Sequence, residues 1–408
     1  MMHPSKALHE SKSTKLSGKK IILGVTGSIA AVESVKLARE LLRHGAEVIP
    51  VMTPSACRII HPDAMEFATS VKPIVELTGA VEHVSYCGEV PDRADLLLIA
   101  PATANTISKI AQGIDDTTVT TFATTALGTG IPIQIVPAMH GSMYNNPLVR
   151  KNLKVLEEQR DAVEIIGPRM EEHKAKIAET EEIVARVIRR LWKGDLAEKR
   201  VLVVAGSTAE PVDEFRTITN KSTGKMGIEL AQSAFMRGAE VTLWYGQSPS
   251  QPPTYIYTER FQSVNDLLNK LSFIDFDVTI VCAAISDYTP ERQEGKIPSG
   301  QDVLTLNLKP TPKVLAAIRE ADQRTFLVGF KAEYDVSEQQ LIKKAAGRQE
   351  QYNLDMMVAN DLKDVSEDRN YIYILHKDGK KREAEGKKAE LAEIIFDEIE
   401  KKILNSKS

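Results

Sequence analysis

Short apolar runs alternate with amphipathic stretches along almost the whole chain. Ile21 to Val25 is followed by an amphipathic segment, Ala30 to His44, and then by apolar runs at Ala46 to Met52, Leu96 to Ala100, Ile131 to Val136 and Val163 to Ile166. Aliphatic runs without polar alternation are what strands buried on both faces look like, and the amphipathic segments between them read as crossover helices. The first part of the chain is therefore expected to fold as βαβ units around a parallel sheet. The rhythm restarts at Val201 to Ala205, with a helix from about Gly227 to Arg237 and strands at Val241 to Tyr245, Val278 to Ala283, Phe326 to Gly329 and Met356 to Ala359.

Two phrases nearly repeat. Lys19-Lys20-Ile21-Ile22-Leu23 leads to His44-Gly45-Ala46-Glu47-Val48, and Lys199-Arg200-Val201-Leu202-Val203 leads to Arg237-Gly238-Ala239-Glu240-Val241. In each, a helix closes on a basic residue and a glycine, and a strand starts at once. Between the halves, Ile183, Val184, Val187, Ile188 and Leu191 mark one apolar helix face over Glu179 to Trp192, which Gly194 should end, placing a boundary near Asp195. The expected organisation is a mobile N-terminal arm over residues 1–18, a first domain over 19–195 and a second over 196–408, both doubly wound α/β. The last helix, about Lys387 to Ile403, carries a solvated charged face, and Gln247 to Pro253 is a surface loop.

Composition narrows the partners. With 52 basic and 56 acidic side chains in 408 residues, a formal charge of -4 gives no excess to hold a nucleic acid. No apolar run approaches the roughly 18 residues of a membrane span. Met1 to Gly18 lacks the hydrophobic stretch of a signal peptide, so no membrane association and a cytoplasmic location are expected. Cys57, Cys87 and Cys282 are far apart, too few for a disulfide framework or a thiolate zinc site, and are expected to be thiols.

The candidate chemistry lies at strand ends. Gly24-Val25-Thr26-Gly27-Ser28-Ile29-Ala30-Ala31 is neither GxGxxG nor a Walker loop. Such a turn is either an ordinary strand-to-helix connection or a set of N–H and hydroxyl donors for one phosphate. Ala100-Pro101-Ala102-Thr103-Ala104-Asn105-Thr106 and Pro137-Ala138-Met139-His140-Gly141-Ser142-Met143-Tyr144 follow two more apolar strands. Three strand ends thus meet at the carboxyl edge, where open α/β folds bind ligands.

On these phrases, with the whole block from Ala94 to Asp116 and His83 before it, Lys19 to about Trp192 resembles the decarboxylase half of the bifunctional coenzyme A enzymes. In that family phosphopantothenoylcysteine decarboxylase is fused to phosphopantothenate-cysteine ligase. The resemblance implies a flavodoxin-like flavoprotein in which FMN oxidises the substrate's cysteine thiol, the adjacent carboxylate leaves, and the electrons return to give 4'-phosphopantetheine. It implies His83 as the active-site base. It also implies FMN contacts at Gly27, Ser28, Thr53, Thr103, Ala104 and Asn105. Where the family has an asparagine that binds the substrate carboxylate, this chain has His140, which can donate a hydrogen bond as asparagine does. The family's substrate clamp, with a cysteine that supplies the last proton, should follow Ile166-Gly167-Pro168. Here Arg169 to Ala178 contains no cysteine, so a shorter clamp is expected, with Cys87 or a lysine of this segment as the donor.

Lys199 to about Ile403 resembles the ligase half, through Ala205 to Gly227, Ala283 to Tyr288, Gly295-Lys296-Ile297, Val328 to Glu333 and Val358-Ala359-Asn360-Asp361. The implied reaction activates 4'-phosphopantothenate with CTP as an acyl-cytidylate, releases pyrophosphate, and lets the amine of cysteine displace CMP. Positive charge at the triphosphate and neutral donors at the acyl group suit that chemistry. By resemblance Lys296 holds nucleotide phosphates, Asn220 the acyl intermediate and Arg216 is needed for turnover, while Asp287 and Phe330 contact the nucleotide. Lys225, opening a helix, is either a phosphate ligand or a solvated lysine at a capped helix start. Lys343, Lys344 and Arg348 are further candidates, and Mg2+ should accompany the triphosphate although no acidic cluster stands out.

The resemblance further implies a homo-oligomer, with trimeric decarboxylase contacts placing flavin between subunits and dimeric ligase contacts. Two other readings stay open: a ligase joined to a regulatory flavoprotein domain that does not decarboxylate, and a flavin prenyltransferase-like first domain.

Overall fold

The computed structural model describes residues 3–159, 161–192, 194, 196–298, 302–366 and 368–405. The chain divides into two compact units, Met1–Trp192 and Lys193–Ser408. Asp195, where the sequence places the boundary, lies outside the described residues.

In the first unit five parallel strands stand in the order Glu47–Met52, Lys20–Val25, Leu96–Ala102, Ile133–Pro137, Val163–Ile165. Numbered along the chain this is 2-1-3-4-5, the flavodoxin order, with its switch point between the first and third strands. Alternate side chains serve opposite faces. Ile22, Leu97, Ile99 and Ile135 join Cys87, Ile107, Phe122 and Leu153 in one core, and Ile21, Leu23, Leu96 and Leu98 are buried on the other face. Helices Ser34–Arg43 and Thr180–Leu191 pack on each other, as do Glu82–Cys87 and Thr118–Thr129. The helix expected from Ala30 begins instead as a 3-10 turn, Ile29–Glu33, capped by Ser28.

The N-terminal segment is not the mobile arm expected. Leu16 is fully buried, and the N–H groups of Glu10, Lys12 and Leu16 donate to the carbonyls of Leu42, Arg43 and His44 at 3.1, 2.9 and 2.8 Å. A helix leaves its last carbonyls without internal partners; here the segment satisfies those of Ser34–Arg43, and Lys12 pairs with Glu40 on that helix.

The main sheet of the second unit has eight strands in the order Tyr257–Arg260, Glu240–Tyr245, Arg200–Ala205, Val278–Val281, Phe326–Glu333, Met356–Asp361, Arg369–His376, Lys381–Lys387. The first six are parallel in the order 3-2-1-4-5-6 of a Rossmann sheet. The last two extend it as an antiparallel hairpin that the apolar pattern did not announce. Lys225–Met236 and Lys388–Asn405 contribute Leu230, Ala234, Ile395 and Phe396 to the core on one face. Val264–Lys270, Val314–Ala321 and Glu338–Gln351 contribute Leu267, Ile318 and Leu341 to the other.

Candidate active sites

A cavity of about 860 Å³ opens at the carboxyl edge of the first sheet. Its floor is made by the three strand-end loops. Ser28 donates its hydroxyl to the Ala138 carbonyl at 3.1 Å and so ties the first loop to the third. Gly27 approaches the Glu47–Met52 loop so closely that a Cβ there would lie 2.5 Å from Cβ of Ser55. Thr103 caps helix Ala104–Gln112 by accepting the Thr106 N–H at 3.3 Å. Two first turns, Ile29–Glu33 and Ala104–Gln112, therefore begin at the cavity, where their N–H groups lack helical partners.

The roof is a small hairpin. Arg169–Glu171 pairs with Lys174–Lys176, which in turn pairs with Met139–His140 in register Met139 to Ala175 and His140 to Lys174. Its turn, Glu172-His173, has both residues left-handed, at φ 49° and 62°, the geometry of a two-residue hairpin loop. The Gly141 N–H donates to the His173 carbonyl at 2.9 Å. Arg169, Lys174 and Lys176 line the cavity. Arg169 binds the Ile177 carbonyl at 3.1 Å, Glu171 at 2.9 Å and Glu179 at 2.6 Å. Lys176 pairs with Glu171 at 2.8 Å, whereas Lys174 has Glu172 at 3.9 Å. His140 Nδ1 accepts the Ser142 N–H at 3.3 Å and lies 2.8 Å from the Ser142 hydroxyl.

Of the residues expected here, Gly27, Ser28, Thr103, Ala104 and His140 line the cavity. Thr53, Asn105 and His83 do not. Thr53 is buried and accepts the Ala56 N–H at 3.2 Å, closing a turn. Asn105 is exposed on the first turn of its helix. His83 lies on Glu82–Cys87, and its Nδ1 is buried without a hydrogen-bond partner among the described residues. Cys87 does not line the cavity: it is fully buried in the core, and burial pushes its thiol up to about 12. The hairpin itself has no apolar run, so its strands were not read from the sequence.

In the second unit Arg216, Asn220, Asp287 and Lys296 lie on loops, Phe330 within strand Phe326–Glu333 and Lys225 at the start of helix Lys225–Met236. Arg216 and Lys296 lie on two segments that bond to each other: Gln293 N–H to the Val212 carbonyl at 2.9 Å and Glu214 N–H to the Gly295 carbonyl at 3.3 Å. The Lys296 ammonium stands 5.5 Å from the centre of the Phe215 ring. Asn220 donates its amide to the Ala284 and Ile285 carbonyls at 3.4 and 3.3 Å, beside the segment leading to Asp287. Lys313 pairs with Asp287 and holds its carboxyl below the usual carboxylate range, helped by Arg348 and Lys331. Phe330 is half-buried against the core, and Lys225 reaches Asp368 at 3.1 Å. Glu333 binds Lys331 and Lys344 at 2.7 and 2.8 Å. Lys313 and Lys331 were not singled out in the sequence, because only the fold brings them to Asp287.

Among the described residues no group of three His, Cys, Asp or Glu is placed to hold a metal ion, and no helix is long and apolar enough to cross a membrane. The three cysteines are free thiols.

Two family profiles match the chain: "Flavoprotein" over residues 9–192 and "DNA/pantothenate metabolism flavoprotein C-terminal domain" over residues 196–403. Proteins named "Coenzyme A biosynthesis bifunctional protein CoaBC" are similar over nearly the whole length. That of Thermococcus kodakarensis is 49% identical, covering 98% of this chain and 100% of its own. That of Methanocaldococcus jannaschii is 41% identical, covering 98% of both. The Bacillus subtilis protein is 36% identical, covering 90% of this chain and 93% of its own.

Proposed function

The chain belongs to the family of bifunctional coenzyme A biosynthesis proteins, a decarboxylase-type flavoprotein domain followed by a ligase domain, and we propose that it joins 4'-phosphopantothenate to cysteine with CTP and then decarboxylates the product with FMN. The observation that carries the flavin half is that Gly27, Ser28, Thr103, Ala104 and His140, spread over more than a hundred residues, line one cavity. A largely apolar cavity of about 860 Å³ with two helical first turns at its edge fits a flat ring with a single phosphate.

Bound there, FMN supplies the two-electron oxidation of the substrate thiol that makes its carboxylate labile, and the return of those electrons. Gly27, Ser28, Thr103 and Ala104 would hold the cofactor; since the Ser28 hydroxyl is engaged by Ala138, backbone N–H groups do most of that work. Thr53 shapes the loop against Gly27, and Asn105 offers an exposed amide beside the same helix start. His140, with Nδ1 occupied, presents Nε2–H to the substrate carboxylate, and Lys174 directly opposite adds positive charge. Lys174 is also the proposed donor of the final proton. His83 removes a proton from the substrate; as it does not line its own chain's cavity, it acts on that of a second copy, in keeping with a trimer.

In the ligase half, a carboxylate oxygen of 4'-phosphopantothenate bonds to the α-phosphorus of CTP and pyrophosphate leaves. The amine of cysteine then bonds to the acyl carbon, CMP leaves and the amine's proton is lost to solvent. Lys296, Lys225 and the cations around Asp287 balance the triphosphate. Asn220 donates to the acyl group, Arg216 stabilises charge at the transferred phosphorus, and Asp287 and Phe330 meet the nucleotide. Mg2+ would accompany the triphosphate and share in neutralising it, since no group of three His, Cys, Asp or Glu among the described residues is placed to hold it alone. Dimeric ligase contacts complete the assembly.

The test is a pair of measurements on the purified full chain: absorbance on titration with FMN, and pyrophosphate release with CTP, 4'-phosphopantothenate and cysteine. Stoichiometric flavin uptake and CTP-dependent pyrophosphate support the reading; failure of both ends it. Ligation without carbon dioxide release would favour the regulatory flavoprotein, a reading that the missing clamp cysteine keeps in play.

A further inference from the structure

Asp213 has no place in the roles assigned above, yet its side chain is completely buried and accepts four hydrogen bonds. Its two oxygens divide them. Oδ1 accepts the backbone N–H groups of Phe215 and Arg216, each at 2.8 Å, and closes the turn of its own loop. Oδ2 accepts the Arg216 guanidinium and, at 3.1 Å, the N–H of Ile297, the residue after Lys296. A turn of this kind needs only the first oxygen; the second reaches across to another loop.

The surroundings explain why such a link is needed. Arg216 and Lys296 are like charges on exposed loops, and Phe215 between them is 73% exposed. Val212 and Ile297 are buried, and the Arg216 guanidinium also donates to the Ile297 carbonyl at 3.3 Å; Asp213 Oδ2 is the acceptor that the guanidinium and the Ile297 N–H share. Burial opposes the charge on Asp213, but the Phe215, Ile297 and Arg216 N–H groups and the guanidinium outweigh it and hold the carboxyl at about 2. It is therefore a full double acceptor throughout the neutral range.

We infer that Asp213 is a positioning residue of the ligase site, its Oδ2 clasping the Arg216 loop to the Lys296 loop and so fixing the two cations relative to each other. The inference rests on the roles proposed above for Arg216 and Lys296.

Asp213→Asn tests it selectively. The amide carbonyl can still accept from Phe215 and Arg216, but its NH2 group then faces two donors, so the clasp opens while the turn stays. CTP-dependent pyrophosphate release should fall in kcat by about 10- to 100-fold, the range expected when catalytic groups shift by about 1 Å. Decarboxylation of presynthesised phosphopantothenoylcysteine by the same chain should be unchanged. Amide hydrogen exchange should accelerate at Ile297 but not at Val201 to Val204 in the core. In an Arg216→Gln background the substitution should add less than about threefold, because both changes act through one group.

Ligation kept within about twofold, a fully multiplicative loss in the double variant, or an unchanged Ile297 amide would each overturn the clasp; so would faster exchange in the core strands, which means general unfolding. A wild-type chain without CTP-dependent pyrophosphate release would overturn the ligase reading instead, and Ile297 exchange alone then decides the clasp.

Discussion

Replacing Gly141 by alanine should unseat the hairpin roof of the first cavity. A Cβ at this position would lie 2.2 Å from the His173 carbonyl oxygen and 2.9 Å from its carbon. Carbon and oxygen normally approach to about 3.3 Å, so the turn must retreat by roughly 1 Å, and the 2.9 Å bond from Gly141 N–H is lost or stretched. Crowding of this kind costs about 1–3 kcal/mol, and the hydrogen bond about 1 kcal/mol more. Lys174 and Lys176 ride on the displaced strand, and about 1 Å of misplacement lowers turnover by roughly 100-fold. The assay is carbon dioxide release from presynthesised phosphopantothenoylcysteine, with bound flavin measured by absorbance. Gly27, Ser28, Thr103 and Ala104 lie off the hairpin, so flavin content should hold and pyrophosphate release should not change. A variant that decarboxylates within about threefold of the parent would show that the hairpin takes no part in the reaction. Loss of flavin would refute the separation of roof from floor.

Lys174→Met should weaken binding of phosphopantothenoylcysteine by about tenfold or more, the value of one charge-assisted hydrogen bond, and leave 4'-phosphopantetheine, which lacks the carboxylate, nearly unaffected; equal losses in a flavin-absorbance titration would contradict the assignment. Cys87→Ser should lower the melting temperature by burying a hydroxyl in the core but leave turnover of folded enzyme intact, and a loss of turnover at full flavin content would restore Cys87 as a donor. Glu40 is held at about 2, below its ordinary 4.5, by His44 first and then Lys12 and Arg43, against the opposing effect of burial. Its folded value being the lower one, the stability it contributes is present above about pH 4.5 and is lost as pH falls towards 2. Glu40→Gln should therefore expose residues 9–17 to proteolysis at neutral pH as acid does to the parent, and equal resistance in both would refute that tether.

Both sheets were legible because their strands are buried on two faces and so appear as unbroken apolar runs. Val201–Ala205 and Met356–Ala359 could be read directly for that reason. Lys381–Lys387 could not: its side chains alternate between exposed and half-covered, and its charged residues look like any solvated face. The Arg169–Lys176 hairpin was hidden likewise, held by ion pairs and by Gly141 rather than by hydrophobic burial. The N-terminal segment misled because its polar composition suggests mobility, whereas what holds it is the row of helix carbonyls at Leu42 to His44, a demand that only the fold reveals. Candidate residues fixed by a motif at a strand end, such as Ser28, Thr103 and His140, could be placed in advance. His83 could be named but not located, since its helix packs on Thr118–Thr129 and away from its own cavity. Asp213 lies within Ala205 to Gly227, but its bond to Ile297, more than eighty residues away, exists only in the fold.

On the proposed function, one chain performs the ligation and then the decarboxylation. Cysteine labelled at its carboxyl carbon tests both at once, since that carbon can leave as carbon dioxide only after the amino acid has been joined and then oxidised. The purified, FMN-loaded chain given 4'-phosphopantothenate, labelled cysteine and CTP should release labelled carbon dioxide, and omitting either CTP or 4'-phosphopantothenate should abolish the release. Label that stays in solution while flavin is bound and all substrates are present, or that is released without CTP, would contradict the claim.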